Sequence, residues 1–449
     1  MLAWVAVLGL AQPVARAADE AVLSVPADGV APGPEDRSAD IVEPGPGGRS
    51  AGTGESGPGD RSADIVEPGR GGRSREATRP GWAARVGERL ELFPYGWVRT
   101  DATYFSAGRE GFSNLSLSGA RLGGGVVAGP VLAFVTIEAA NAKGPQLFDA
   151  FVQWTIVKGL RLRGGQFKAP FGYRFNAPDL VDELPRAPLS LQASTPGRQV
   201  GIEVAYDFWR YAELWVAVFS GIGQNREANN TKVAFAGKLE LRPLAGLRRG
   251  PQLLLSASLF AYHKTNGFTP TVNTALGFDF LHGIPAAGAA RRVAGAGGLF
   301  WRWLSLRGEF FRTSDAREKD TDGDPFTPGE PLPPMIGAGG YVQLGAVLTG
   351  QTKDPSTLLP ELRSARVRDS AVELALRFDR LRVGARDVAG NGITVLEGGV
   401  NWVLLRHLRI YAAGLWQRME VAAPEIPGAR SWGVMGGLAG FFLRRAGRE

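Results

Sequence analysis

The stretch KVAFAGKLELR, residues 232–242, alternates between two characters. One set of positions carries Lys232, Ala234, Ala236, Lys238, Glu240 and Arg242, and the other carries Val233, Phe235, Gly237, Leu239 and Leu241. Successive side chains of a strand point to opposite faces, so this pattern predicts a β-strand with one polar and one apolar face. The same division runs from Gln199 to Phe208, where Gln199, Glu203 and Asp207 oppose Val200, Ile202, Val204, Tyr206 and Phe208. From Val372 to Asp379, Glu373, Arg377 and Asp379 oppose Val372, Leu374, Leu376 and Phe378. It recurs from Leu396 to Leu404, with Glu397 and Asn401 against Leu396, Val400, Trp402 and Leu404, and again from Leu408 to Gln417.

Alternation alone fits a soluble sandwich as well as a membrane barrel. Three features favour the barrel. The apolar run Leu2 to Leu10, followed by Ala15-Arg16-Ala17, reads as a signal peptide over residues 1–18. The alternating segments run roughly nine to thirteen residues, enough to cross a bilayer at a tilt, where soluble strands average about five or six. Aromatic residues sit near segment ends, at Phe93, Tyr95, Trp97, Trp209, Tyr211, Trp301, Trp303, Trp416, Trp432, Phe441 and Phe442. Girdles at the two membrane interfaces have this appearance. No other stretch reaches about 18 apolar residues without a charge, so helical spans are excluded.

Residues 19–88 are rich in glycine, proline, serine and charge and predict a disordered periplasmic tether. They hold a duplication: DRSADIVEPGPGGRS at 36–50 and DRSADIVEPGRGGRS at 60–74 differ only at Pro46 and Arg70. Of 51 Lys and Arg and 44 Asp and Glu, residues 1–88 hold 9 and 13, a net of −4, which leaves +11 for residues 89–449. The positive residues recur singly along alternating segments. That distribution suits the lumen of a barrel better than a nucleic-acid surface, and no nucleic acid is expected as partner. The chain has no cysteine, which excludes disulfides, thiolate metal sites and a cysteine nucleophile.

Tight connections at Ala128-Gly129-Pro130, Lys158-Gly159, Trp209-Arg210 and Leu405-Arg406 alternate with long ones near 106–116, 169–198, 263–290 and 315–336. Short periplasmic turns and long external loops are the ordinary asymmetry of outer-membrane barrels. The stretch 351–369 departs from it, being long where a short turn is due. About sixteen strands are expected, closed on themselves because an open edge in lipid leaves backbone groups unpaired. A bulge at Gly164-Gly165 would exchange inward and outward faces.

Five segments resemble the phosphate-selective porin O and porin P family. They are GQFKAPFG at 165–172, PGRQVG at 196–201, GYVQLGAVLTG at 340–350, Val372 to Leu381, and Gly399-Val400-Asn401-Trp402 followed by Arg409. The resemblance spans residues 90–443 in family order. It implies a trimeric, sixteen-stranded barrel in the outer membrane of a Gram-negative bacterium, passing anions such as phosphate along a lumen lined by Arg and Lys. The third long loop departs from the family in not being markedly lysine-rich. It sets Arg174, Arg186 and Arg198 against Asp179, Asp182 and Glu183.

By face, the lumen candidates are Lys232, Lys238, Arg242, Arg307, Arg377 and Arg409, with Arg161, Arg163 and Lys168 leading into the third loop and Arg174 and Arg198 within it. Guanidinium groups bind oxyanions in a bidentate way, and lysine acts as a mobile point charge. A long loop between such strands is expected to fold inward as a constriction. Asp320, Asp322 and Asp324 flank Gly323 in a pattern that suits Ca2+ in an external loop, although the EF-hand spacing is not met. No G-x-S-x-G, HExxH or Walker A sequence occurs, and no enzyme is expected. A lumen or rim enzyme would have to use His263 or His282. The competing reading is a plugged structural or adhesive barrel whose tether and loops bind partners.

Overall fold

The computed structural model describes residues 84–86, 90–107, 110–140, 144–177, 182–221, 223–225, 233–247, 250–264, 272–274, 279–281, 286–319, 329–353, 358, 360, 370–404, 407–420 and 430–442. The signal peptide, the tether up to residue 83, Asp179, Lys232, His282, Asp320, Asp322 and Asp324 lie outside the described residues.

In chain order the first strands are β1 (Ala84–Val86), β2 (Leu90–Ala107), β3 (Glu110–Ala128), β4 (Val131–Glu138), β5 (Gln146–Val157) and β6 (Leu160–Lys168). A helix, α1 (Leu189–Ser194), precedes β7 (Arg198–Phe208), β8 (Ala212–Phe219), β9 (Ala234–Leu241) and β10 (Gln252–Lys264). Then come β11 (Val272–Asn273), β12 (Asp279–Leu281), β13 (Gly288–Trp301), β14 (Leu304–Lys319) and β15 (Glu330–Val347). The last four are β16 (Ala371–Ala385), β17 (Val388–Leu404), β18 (Leu408–Glu420) and β19 (Arg430–Phe442). β11 and β12 pair with each other, and β1 pairs antiparallel with the start of β2.

The remaining sixteen strands form one antiparallel ring. Each pairs with its neighbours in order, β10 pairs with β13, and β19 returns to β2 with Trp432 opposite Ser106 and Phe442 opposite Gly96. Closure removes the edge that lipid cannot satisfy.

The faces follow the sequence pattern. Gln199, Glu203, Lys238, Glu240, Glu373, Arg377, Glu397 and Asn401 point inward and are buried, while Val200, Ile202, Val204, Leu239, Leu374, Leu376, Leu396, Val400 and Trp402 point outward. That outward surface is the apolar belt a bilayer covers. Leu404, at the end of its strand, is buried instead.

Four expectations need correction. The connection placed near 106–116 is the two residues between β2 and β3, because both strands run far beyond the membrane segment. Strand pairing likewise takes over both ends of the 315–336 stretch. The ladder continues through Gly164 and Gly165 without a shift, and the irregularity falls between Thr155 and Val157. Gly165 is nevertheless required there: it has φ +132°, and a Cβ would lie 2.3 Å from the Ala150 carbonyl oxygen.

Finally, Phe93, Tyr95, Trp97 and Phe441 are not girdle residues but face inward and are buried, whereas Trp209, Tyr211, Trp301, Trp303, Trp416 and Trp432 do lie outside. The inward rings form a chain around one wall, from Phe93 and Tyr95 through Phe134, Phe151, Phe167 and Phe219 to Phe260, with successive centroids 5.4–6.3 Å apart. Such rings bury large areas and pack edge-on. Gly125 makes room for Phe93 and Gly201 for Phe219, since a Cβ would fall 2.4 and 2.5 Å from the respective rings. A row of aromatic rings thus lines the interior from β2 to β10, and beside it Arg121 and Arg198 stack on Phe148 and Arg163 on Phe151.

Candidate pore constriction

The chain leaves β6 at Lys168 and re-enters the wall at Arg198, and the loop between them folds into the lumen. Its beginning is tied to the wall by backbone donors. Gly172 N–H donates to Ser258 Oγ at 2.8 Å, and Tyr173 and Arg174 N–H donate to the two Glu309 carboxylate oxygens at 2.7 and 2.8 Å. Tyr341 Oη donates to Glu309 as well, at 2.6 Å. The Phe171 ring lies 6.2 Å from that of Phe311. Further along, Leu189 N–H donates to Asp379, and Leu189 and Ala193 of α1 pack with Leu381, Ile393 and Val395. Arg99 Nη1 donates to the Pro185 carbonyl at 2.6 Å, and Arg292 Nη1 to that of Ser194 at 3.3 Å.

The middle of the loop carries Asp182 and Glu183, and here the expected cations converge. Asp182 accepts from Arg174 Nε at 2.8 Å and from Gln343 Nε2 at 3.2 Å, pairs with Arg307, and lies 3.7 Å from Arg377 Nη1. Glu183 pairs with Arg307 and Lys353 and accepts from Gln343 at 2.6 Å. Its backbone carbonyl accepts from Asn401 and, at 3.1 Å, from Arg409 Nη2. Arg307, Gln343, Arg377 and Glu397 are successive cross-strand partners on β14 to β17, so they form one inward rung beneath the acidic pair.

Four of the expected residues, Arg174, Arg307, Arg377 and Arg409, therefore meet at one place. The others are dispersed. Arg161 pairs with Glu213, and Arg163 with Gln153 and Glu203. Arg198 pairs with Asp149 at 2.9 Å, and Lys168 donates to the Phe175 carbonyl. Lys238 reaches Asn176 at 3.3 Å and Glu240 at 3.5 Å, and Arg242 pairs with Glu213 and Glu240.

Sequence reasoning missed Lys353, which bridges Glu183 of the loop and Glu373 of β16. It lies in the long connection between β15 and β16, so the anomalous length at 351–369 was the signal. Lys353 N–H donates to the Arg302 carbonyl at 3.2 Å, and Leu358 is buried against Tyr173, Ala177, Leu254, Ala296 and Phe300 with φ +57°. A leucine holds that left-handed backbone only where its surroundings impose it. A segment from the short-turn rim thus enters the lumen and meets the loop from the opposite rim.

Among the described residues, buried Lys and Arg number 12 and buried Asp and Glu 13. The wall is therefore ion-paired and not a bare positive ladder. Even so, Nε and Nη1 of both Arg307 and Arg377 have no hydrogen-bond partner within the protein.

Burial pushes the Asp182 carboxyl up, but Arg174, Arg307 and Arg377 outweigh it and hold the group well below its usual range. A depressed carboxyl contributes stability above its unfolded value, which is lost only as pH falls through the folded one. The docked loop is thus expected to survive acidification past about pH 3.9, the ordinary aspartate midpoint. Single-channel conductance recorded down a pH series checks this, and a change in conductance level centred at that midpoint would refute it.

No protein-family model matches the chain, and no curated protein matches it. Solved structures do. OmpT, an outer membrane protein of Vibrio cholerae folded in vitro, superposes with a TM-score of 0.52 at 10% identity, over 82% of this chain and 100% of that one. The outer membrane channel DcaP of Acinetobacter baumannii superposes with a TM-score of 0.51 at 12% identity, over 80% and 99%. The chain folds as an outer-membrane β-barrel. Together with its apolar belt, this fold places it in the outer membrane.

Proposed function

We propose that this barrel is a porin through which small anions, phosphate and polyphosphate among them, diffuse passively past the inward loop. The observation that carries the reading is the convergence of Arg174, Arg307, Lys353, Arg377 and Arg409 on the inward loop, in a lumen whose other charges are largely matched. Donors of this kind bind an oxyanion weakly and release it, as conduction requires. The motif resemblance to the porin O and porin P family supports the substrate class, and with it a homotrimer. A signal peptide over 1–18 and a periplasmic tether over 19–88 complete the proposed organisation.

The insertion of Lys353 and Leu358 favours a second reading, in which the lumen is closed and the barrel serves a structural or adhesive role.

Planar-bilayer recording of the refolded protein separates the two. A reversal potential favouring chloride across a potassium chloride gradient, with block by added phosphate, is the expected result. Anion current indifferent to phosphate would discard the substrate, and a folded barrel without current steps would establish the closed reading.

A further inference from the structure

Near the long-loop rim, the outward face of β14 to β19 breaks its apolar pattern in a regular way. On four strands an outward aromatic residue is followed, two residues nearer the rim, by an outward arginine: Phe310 and Arg312, Phe378 and Arg380, Trp416 and Arg418, Trp432 and Arg430. Arg382 continues the series on β16. Two residues along a strand is about 6.8 Å, the step from the apolar belt to the headgroup layer. On the other side of the barrel the outward positions toward this rim are Ile137, Leu147, Val200 and Val218, all apolar. The basic collar is confined to one sector.

Its members are closer together than mutual repulsion favours. Arg418 and Arg430 are direct cross-strand partners, and Thr394 separates Arg418 from Arg380 in the same rung. Like charges placed opposite each other on a sheet destabilise it unless a counter-charge joins them. Glu420 serves Arg382 at 3.3 Å and Arg380 at 3.6 Å. Among the described residues no carboxylate pairs with Arg418 or Arg430, and both are exposed.

We propose that Arg418 and Arg430, flanked by Arg380, dock the phosphate-bearing headgroup of a membrane lipid in the leaflet that faces the long loops. The guanidinium forks fit phosphate oxygens in bidentate geometry, and Trp416 and Trp432, one step deeper, fit the start of the acyl region. The site lies on the outside of the barrel and is independent of what the lumen conducts.

The test uses the full chain, refolded in detergent, with retained lipid counted by native mass spectrometry. The probes are a diphosphorylated glycolipid, the same lipid without its phosphates, and inorganic phosphate as competitor. Arg418→Gln/Arg430→Gln is expected to lower retention of the phosphorylated lipid on the order of 30-fold, while Arg210→Gln at the opposite rim leaves it unchanged. Should the double exchange prevent folding, a salt titration of the unaltered protein decides: retention must fall steeply as ionic strength rises. Equal retention by variant and parent, equal retention of the dephosphorylated lipid, salt-insensitive retention, or full displacement by inorganic phosphate would each overturn the proposal.

Discussion

Exchanging Asp182→Asn together with Glu183→Gln is expected to free the inward loop, raise single-channel conductance several-fold and move the reversal potential further toward chloride. The two carboxylates hold Arg174, Arg307 and Lys353, and they contribute to holding Arg377. Removing one side of a buried ion pair strands the other, at about 3–5 kcal/mol per broken pair. Among the described residues Arg307 would keep no carboxylate in contact, whereas Arg377 keeps Glu397 and Lys353 keeps Glu373. The barrel itself is closed by backbone ladders that do not pass through the loop, so folding should persist. With two negative charges gone, the lumen gains net positive potential, which fixes the sign of the selectivity change. Heat-modifiable migration on a gel confirms the fold. Unchanged conductance and reversal potential from a folded variant would mean that the loop does not control the passage.

The second large effect belongs to Lys353→Met. It leaves Glu183 and Glu373 buried near one another without their shared cation. Here too the cost is about 3–5 kcal/mol, enough to withdraw the segment that carries Leu358 from its apolar seat. The temperature of heat modification should drop and conductance should rise. Adding Glu373→Gln removes the charge left without an ion pair, since Glu183 keeps Arg307, and a double-mutant cycle should show strong positive coupling between the two sites. If Lys353→Met and Lys353→Met/Glu373→Gln behave alike, the bridge is not what holds the segment.

Much of the fold was written in period two. Lys238 and Glu240 face inward because Leu239 and Leu241 must meet lipid, and the same logic oriented Glu373, Arg377, Glu397 and Asn401 correctly. It failed where the inner face is not polar. Phe93, Tyr95 and Trp97 line an aromatic wall, and a sequence pattern cannot tell an apolar residue facing lipid from one facing an apolar interior. The convergence of Arg174, Arg307, Arg377 and Arg409 on Asp182 and Glu183 was hidden for another reason. These residues are brought together by the path of one irregular loop, and periodicity says nothing about loops. Lys353 shows this most plainly. Its connection stood out only by length, and its role depends on two carboxylates 170 and 20 residues away.

An even number of crossings returns a chain to the side it left. The polypeptide enters the ring at Leu90 and leaves it at Phe442 from the rim of short turns, the same rim that sends Lys353 inward. Entry, exit and the start of the segment that carries Lys353 therefore share one aqueous compartment. A binding partner confined to that compartment meets both ends of the ring, yet it reaches the loop of Asp182 only by way of the lumen.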